Sequence, residues 1–201
     1  MAEPRTIFWD VDTQVDFMLP GGKLYVPGAE KIILNLKALI EAAGQKRIFV
    51  VSSADAHEAT DEEFSQYPPH CLAGTAGQQK VPETLLPRRE TIPNRPAPLP
   101  ALAALDQVVV EKQRFDVFTN PNIDTLLNEL GHNCEFVLFG VVTEICVAHA
   151  ARGLLERGYR LRLVRDAVKS LEREKAQALF DEVERRGSQL VTTAQMLKRL
   201  G

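Results

Sequence analysis

The chain is poor in several things, and each shortage removes a class of protein. Of its 201 residues only three are cysteine, an odd number (Cys71, Cys134 and Cys146). A disulfide framework is therefore the weaker reading, and free thiols the stronger. Aromatics make up 6% and the net charge is -3. No basic block interleaves with aromatic residues, so neither a nucleic acid nor an anionic membrane is an expected partner. No apolar run is long enough to span a bilayer. Met1 to Arg5 is short and polar rather than a signal peptide, which makes a cytoplasmic protein the expectation. There is no internal repeat, and the first apolar run is not followed by Gly-x-Gly-x-x-Gly, which argues against a dinucleotide-binding domain. What is present is an ordinary apolar fraction of 45%, enough to build a core.

Short apolar runs alternate with stretches of helical period. Strands are expected at Ile7–Val11, Arg47–Ser52, Gln107–Glu111, Glu135–Phe139, Arg160–Val164 and Gln189–Val191. Helices are expected over Ala29–Ala43, Pro121–Leu130, Thr143–Arg157 and Leu171–Arg186, with a closing helical turn. Such alternation predicts an α/β fold: one domain over residues 1–201 with a doubly wound, Rossmann-like, six-stranded parallel sheet and helices on both faces. The stretch 53–105, rich in Pro, Gly and acids, reads as a long functional loop with a short helix around Val81–Leu86.

Ligands of such sheets bind beyond the C-terminal strand ends, and there the polar residues gather. Asp12 follows the first strand, Asp55 and His57 the second, Lys112 ends the third, and Gly140 to Cys146 links the fourth to its helix. Cys146, in the first turn of that helix, is placed where the helix dipole lowers a thiol pKa, so it is the expected nucleophile. Asp12 is its candidate base, Lys112 the cation that tunes the pair, and the amides of Val142 and Cys146 the candidate oxyanion donors. Asp55, His57, Glu63 and His70 form a metal set whose imidazole and carboxylate donors suit Zn, Fe or Mn better than Mg or Ca. Cys71 and Cys134, like His132 and His149, fit no cluster and read as structural.

Three motifs in order resemble the isochorismatase-like cysteine hydrolases, the superfamily that contains the nicotinamidases. Asp12-Thr13-Gln14-Val15-Asp16-Phe17 is similar to the family's Asp-x-Gln-x-Asp-Phe opening. Lys112, with Phe115 and Phe118 behind it, is similar to its strand-three lysine. Gly140-Val141-Val142-Thr143-Glu144-Ile145-Cys146-Val147 is similar to its Gly-x-x-Thr-x-x-Cys-Val elbow. The resemblance implies a triad of Asp12, Lys112 and Cys146, and a cis peptide at Val141–Val142. Asp55-x-His57 and Tyr67-Pro68-Pro69-His70-Cys71 are similar to the nicotinamidase metal loop, and Glu63 falls where that branch places a further ligand. A metal there binds the substrate's ring nitrogen, with Phe17 and Tyr67 at the positions of aromatics that sandwich the ring. The implied activity is hydrolysis of a small ring-bearing amide to its acid and ammonia, through a thioester and without an organic cofactor.

The chain departs from that pattern in places. Tyr67 replaces the usual Trp, Glu144 stands where Asp is commoner, and Asp10 adds a charge within the first strand. The Ala-Tyr-Ser-Gly-Phe run after the lysine is absent. An isochorismate-like enol ether or another small amide is the alternative substrate. Asp10-Val11-Asp12-Thr13 is also similar to the opening of haloacid-dehalogenase phosphatases, but those want Thr where Gln14 stands. A non-catalytic binding protein on the same fold is the remaining rival, set against retention of all three triad residues. A homo-oligomer is compatible with everything in the sequence.

Overall fold

The structure, a computed structural model, describes residues 3–201. Seven strands, all parallel, form one sheet in the order β3-β4-β2-β1-β5-β6-β7. They are β1 Arg5–Val11, β2 Phe49–Asp55, β3 Arg89–Ile92, β4 Gln107–Lys112, β5 Cys134–Val141, β6 Arg160–Lys169 and β7 Gln189–Val191. The helices are α1 Val15–Met18, α2 Ile33–Lys46, α3 Ile123–Leu130, α4 Ala148–Glu156, α5 Arg173–Arg185 and α6 Thr193–Leu200.

The central strands β2 and β5 are buried along their whole length, as strands covered on both faces must be. Alternation along β1 divides the core. Ile7, Trp9 and Val11 pack with α3 and α4 on one face, whereas Phe8 packs with α2 and α6 on the other.

The sheet has one strand more than expected. β3 lies inside the 53–105 stretch, at the sheet edge, and of its residues Arg89, Glu90, Thr91 and Ile92 only the last is buried. A strand so exposed carries no apolar alternation to betray it. The same stretch holds three single 3-10 turns, Glu62–Ser65, Pro82–Thr84 and Leu102–Ala104, so the helix expected at Val81–Leu86 is one turn. The long helix expected from Thr143 begins as a π-helical turn, Thr143–Val147, before α4. α5 starts two residues later than expected, at Arg173, and the closing turn is α6, fixed by a capping box between Thr192 and Gln195.

The chain leaves β1 towards β2 and later returns to β5 on its other side. That reversal opens a crevice at the C-terminal ends of β1 and β5. Gly140, at φ 120°, lets β5 close against β1 there, because a Cβ would strike the Val11 backbone.

Candidate active site

Asp12 follows β1 with a left-handed φ of 47°. The register that pairs Val11 with Ser53 puts Ser53 beside it. The Asp12 N–H donates to the Ser53 carbonyl (3.2 Å), and the Ser53 hydroxyl donates to Asp12 Oδ1 (2.6 Å). Lys112 and Asp55 end β4 and β2 at paired positions. Lys112 Nζ lies 2.9 Å from Asp12 Oδ2, donates to Asp55 Oδ1, and reaches Cys146 Sγ at 3.7 Å. Asp12, Lys112, Asp55 and Cys146 are all buried. Four strand ends far apart in sequence thus deliver two carboxylates, one ammonium and one thiol to a single point, and the expected cis peptide at Val141–Val142 is present beside them.

Burial works against the Lys112 charge, but Asp12, Asp55 and Cys146 outweigh it and hold the ammonium well above its usual value. Burial likewise opposes ionisation of Asp55, yet Lys112 and His57 prevail and keep its carboxyl below the ordinary range. Cys146 goes the other way from the expectation. Burial pushes the thiol well above its usual value, and Asp12 and Asp55 add to that against the pull of Lys112. A helix start lowers a thiol pKa only if the sulfur is reached by solvent or spare positive charge. Here the sulfur is enclosed and two carboxylates share the one ammonium.

On the far side of Asp55 stand two imidazoles. Donor atoms of Asp55, His57 and His70 all lie within 4.8 Å of one another, and the three residues are buried. His57 Nδ1 is 3.0 Å from Asp61 Oδ2, while its Nε2 is buried with no hydrogen-bond partner and 3.8 Å from Asp55 Oδ2. His70 Nδ1 lies against the Pro68 carbonyl at 2.9 Å, which leaves Nε2 turned to Asp55 (4.0 Å) and Glu63 Oε1 (3.6 Å). An orphaned imidazole nitrogen with a carboxylate and a second imidazole around it fits a divalent metal, and each ring is oriented by a hydrogen bond at its other nitrogen. Burial and the neighbouring Asp55 raise the Glu63 carboxyl. Glu63 borders the set of three rather than completing it.

Both groups open into one cavity of about 480 Å³, its mouth included, lined by Cys146, Val142, Asp55, Glu63 and His70 with Phe17, Tyr67 and Phe115. Phe17 lies against His70 (centroids 5.4 Å) and Tyr67 against Phe115 (5.9 Å). Leu24, Val26, Ile145 and Leu171 complete the lining. His132 stacks on Tyr159 and His149 lies near Phe115; neither joins the buried cluster.

Sequence reading missed several supports. Gln14 clamps the Asp55 backbone twice, its Nε2 donating to the carbonyl (2.8 Å) and its Oε1 accepting from the N–H (2.7 Å). Asp16 Oδ2 accepts the Cys71 N–H (2.7 Å), which fixes the residue next to His70. Asp61 had a detectable signal, an acid four places after His57; Ser53 had none.

Fold and site together are those of a hydrolase built on a doubly wound parallel sheet. The isochorismatase domain matches residues 7–195, and the chain belongs to that family. It is similar to the isochorismatase family protein PncA of Bacillus subtilis, 30% identical over 171 residues that cover 82% of this chain and 86% of the relative. Among solved structures, an isochorismatase-like hydrolase from Alkaliphilus metalliredigens superposes with a TM-score of 0.81 at 25% identity, covering 98% of this chain and all of that one. The pyrazinamidase of Pyrococcus horikoshii, determined in complex with zinc, gives 0.76 at 28% identity over 94% and 99%.

Proposed function

We propose that the protein is an amidase that cleaves the carboxamide of a small ring-bearing molecule by way of a thioester on Cys146, with nicotinamide, converted to nicotinate, as the first candidate. The observation that carries this is the shared cavity, in which the thiol, Asp55 and His70 of the Asp55–His57–His70 cluster, and the Phe17, Tyr67 and Phe115 rings face one small space. Asp55 and Glu63 line that space without any Lys or Arg. A neutral amide therefore suits it better than the acidic enol ether of the alternative reading.

Asp12 takes the Cys146 proton as the sulfur attacks the carboxamide carbon, which a thiol of raised pKa requires. The amides of Val142 and Cys146 hold the oxyanion. Asp12 returns the proton to the amine, the C–N bond breaks and ammonia leaves. Water then adds to the thioester and gives a proton to Asp12. Collapse breaks the C–S bond, the acid departs, and the sulfur regains its proton. Lys112, 2.9 Å from Asp12 Oδ2, holds that side chain in place.

Asp55, His57 and His70, with Glu63 nearby, would hold a divalent ion, zinc by analogy with the Pyrococcus pyrazinamidase and with Fe or Mn as the other ions suited to these donors. When bound, the ion supplies a Lewis-acid anchor for a ring nitrogen. Residues 1–201 serve as one domain, in which 53–105 brings the metal-side wall. No helix among the described residues is long and apolar enough to cross a membrane, and three free thiols suit a cytoplasmic setting.

Ammonia release from a panel of small amides tests the reading. Turnover of nicotinamide is expected to vanish in Cys146→Ala and in metal-stripped protein, and to return to the latter with zinc. Unchanged turnover in Cys146→Ala would overturn the thioester route.

A further inference from the structure

The wall of the cavity opposite the metal side ends in a segment with no assigned role. Leu171, in the connection between β6 and α5, lines the cavity yet is 55% exposed, one of only two large apolar side chains so exposed among the described residues. Leaving such a side chain in water forgoes the stabilisation its burial would bring, and this one sits where a ligand would cover it. Its backbone is not left to drift. Glu144 Oε1 accepts the N–H of Leu171 (2.9 Å) and that of Glu172 (2.7 Å). Glu144 stands two residues before Cys146, inside the same π-helical turn, and its Oε2 is buried without a hydrogen-bond partner. A carboxylate from the turn that carries the sulfur thus fixes the height of an apolar side chain at the cavity mouth.

We propose that Leu171 is a specificity-determining residue and Glu144 the positioning residue that sets it. Together they form an apolar lip that selects amides bearing an apolar group towards the mouth and rejects those bearing an anionic one. The inference rests on the amidase reading and deepens it. Around the lip Leu24, Val26 and Ile145 offer only aliphatic surface, so a carboxylate placed against them would be left without a partner from the cavity lining. Glu144 touches no reacting atom and acts through Leu171.

The test compares nicotinamide with its 5- and 6-methyl and 5- and 6-carboxyl derivatives in the zinc-loaded protein. Wild type is expected to favour at least one methyl derivative over its carboxyl counterpart in kcat/KM. In Leu171→Lys that ratio should fall by about tenfold or more, chiefly through KM. Glu144→Ala should lose discrimination in the same direction, again through KM, whereas Glu144→Gln, which keeps an acceptor oxygen, should restore most of it. A ratio unchanged in Leu171→Lys, or a Glu144→Ala defect confined to kcat or not rescued by Gln, overturns the inference while the amidase reading stands. If wild type releases ammonia from none of these amides, the amidase reading falls and takes the lip with it.

Discussion

Two aspartates two residues apart, Asp10 within β1 and Asp12 just after it, each meet a buried lysine, and the two pairs are built to opposite ends. Asp10, buried near the C-terminal end of β1, pairs with Lys80 at 3.1 Å and also accepts from Thr13 (2.9 Å) and Ser52 (3.1 Å). Lys80 spends a second donor on the Ser53 carbonyl at 2.9 Å. Asp12 meets the Lys112 ammonium that also reaches Cys146 Sγ. Its Oδ1 takes one bond from Ser53, while Oδ2 has Lys112 at 2.9 Å but out of hydrogen-bonding alignment. Lys112 in turn is divided between two carboxylates and a thiol. A saturated pair has nothing left to exchange and serves the fold. An unsaturated one beside a thiol keeps a lone pair free for a proton.

That contrast breaks first at the reaction. Cys146→Ala should lower amide turnover by at least about 10⁴-fold, and Asp12→Asn by about 10²–10⁴-fold, each with an unfolding midpoint close to wild type. A large loss of stability in Asp12→Asn would show that both pairs are structural.

The saturated pair should fail in the other currency. Lys80→Met leaves the Asp10 carboxyl buried without its counter-charge, and urea unfolding should show a loss of about 3–5 kcal/mol. Asp10→Asn combined with Lys80→Met should recover most of that. The pH dependence has a definite sign. Burial raises the Asp10 carboxyl above its usual value against the pull of Lys80. The folded state therefore holds that proton longer than the unfolded chain, and the stability linked to it is present at low pH and lost as pH rises through the folded value. Removing Lys80 moves that loss to higher pH, which unfolding at a series of pH values will detect.

The thiol gives a smaller, sharper reading. Because burial and two carboxylates raise it against Lys112, alkylation of Cys146 by iodoacetamide should be slow at neutral pH and accelerate with a midpoint above that of an ordinary cysteine. Asp12→Asn removes one of the raising charges, so the midpoint should move down. An upward move would contradict the arrangement. The smallest effect expected is that of Ser53→Ala, which removes one hydrogen bond to Asp12. A cost of about 1.5–3 kcal/mol, typical of a bond to a charged group, should fall on turnover, and Lys80→Met at equal folded fraction should leave turnover nearer wild type.

Much of this was legible because the residues concerned sit at strand ends, where chemistry and secondary structure punctuate the sequence together. Asp12, Lys112 and Cys146 each terminate or follow an apolar run, and Asp55-x-His57 with His70 shows donor spacing without any knowledge of the fold. Ser53 and Lys80 were not legible. Ser53 matters because β1 and β2 pair in one register, and Lys80 because a long connection folds back onto β1; neither fact is local. The direction of the Cys146 shift was misread for the same reason. Helix position is written in sequence, whereas enclosure of the sulfur depends on four segments closing around it. β3 escaped because an edge strand with one buried residue leaves no pattern.

Asp55 has a consequence best put in evolutionary terms. One oxygen binds Lys112 and the other faces the two histidines, so the position carries two obligations that selection cannot relax separately. A lineage that gave up His57 and His70 would still need an acid at 55 to keep the lysine matched. A lineage that changed residue 55 first would damage both sides in one step. Substitutions at 55 and 112 should accordingly be strongly epistatic, and loss of the histidines is expected to come before any change at the aspartate.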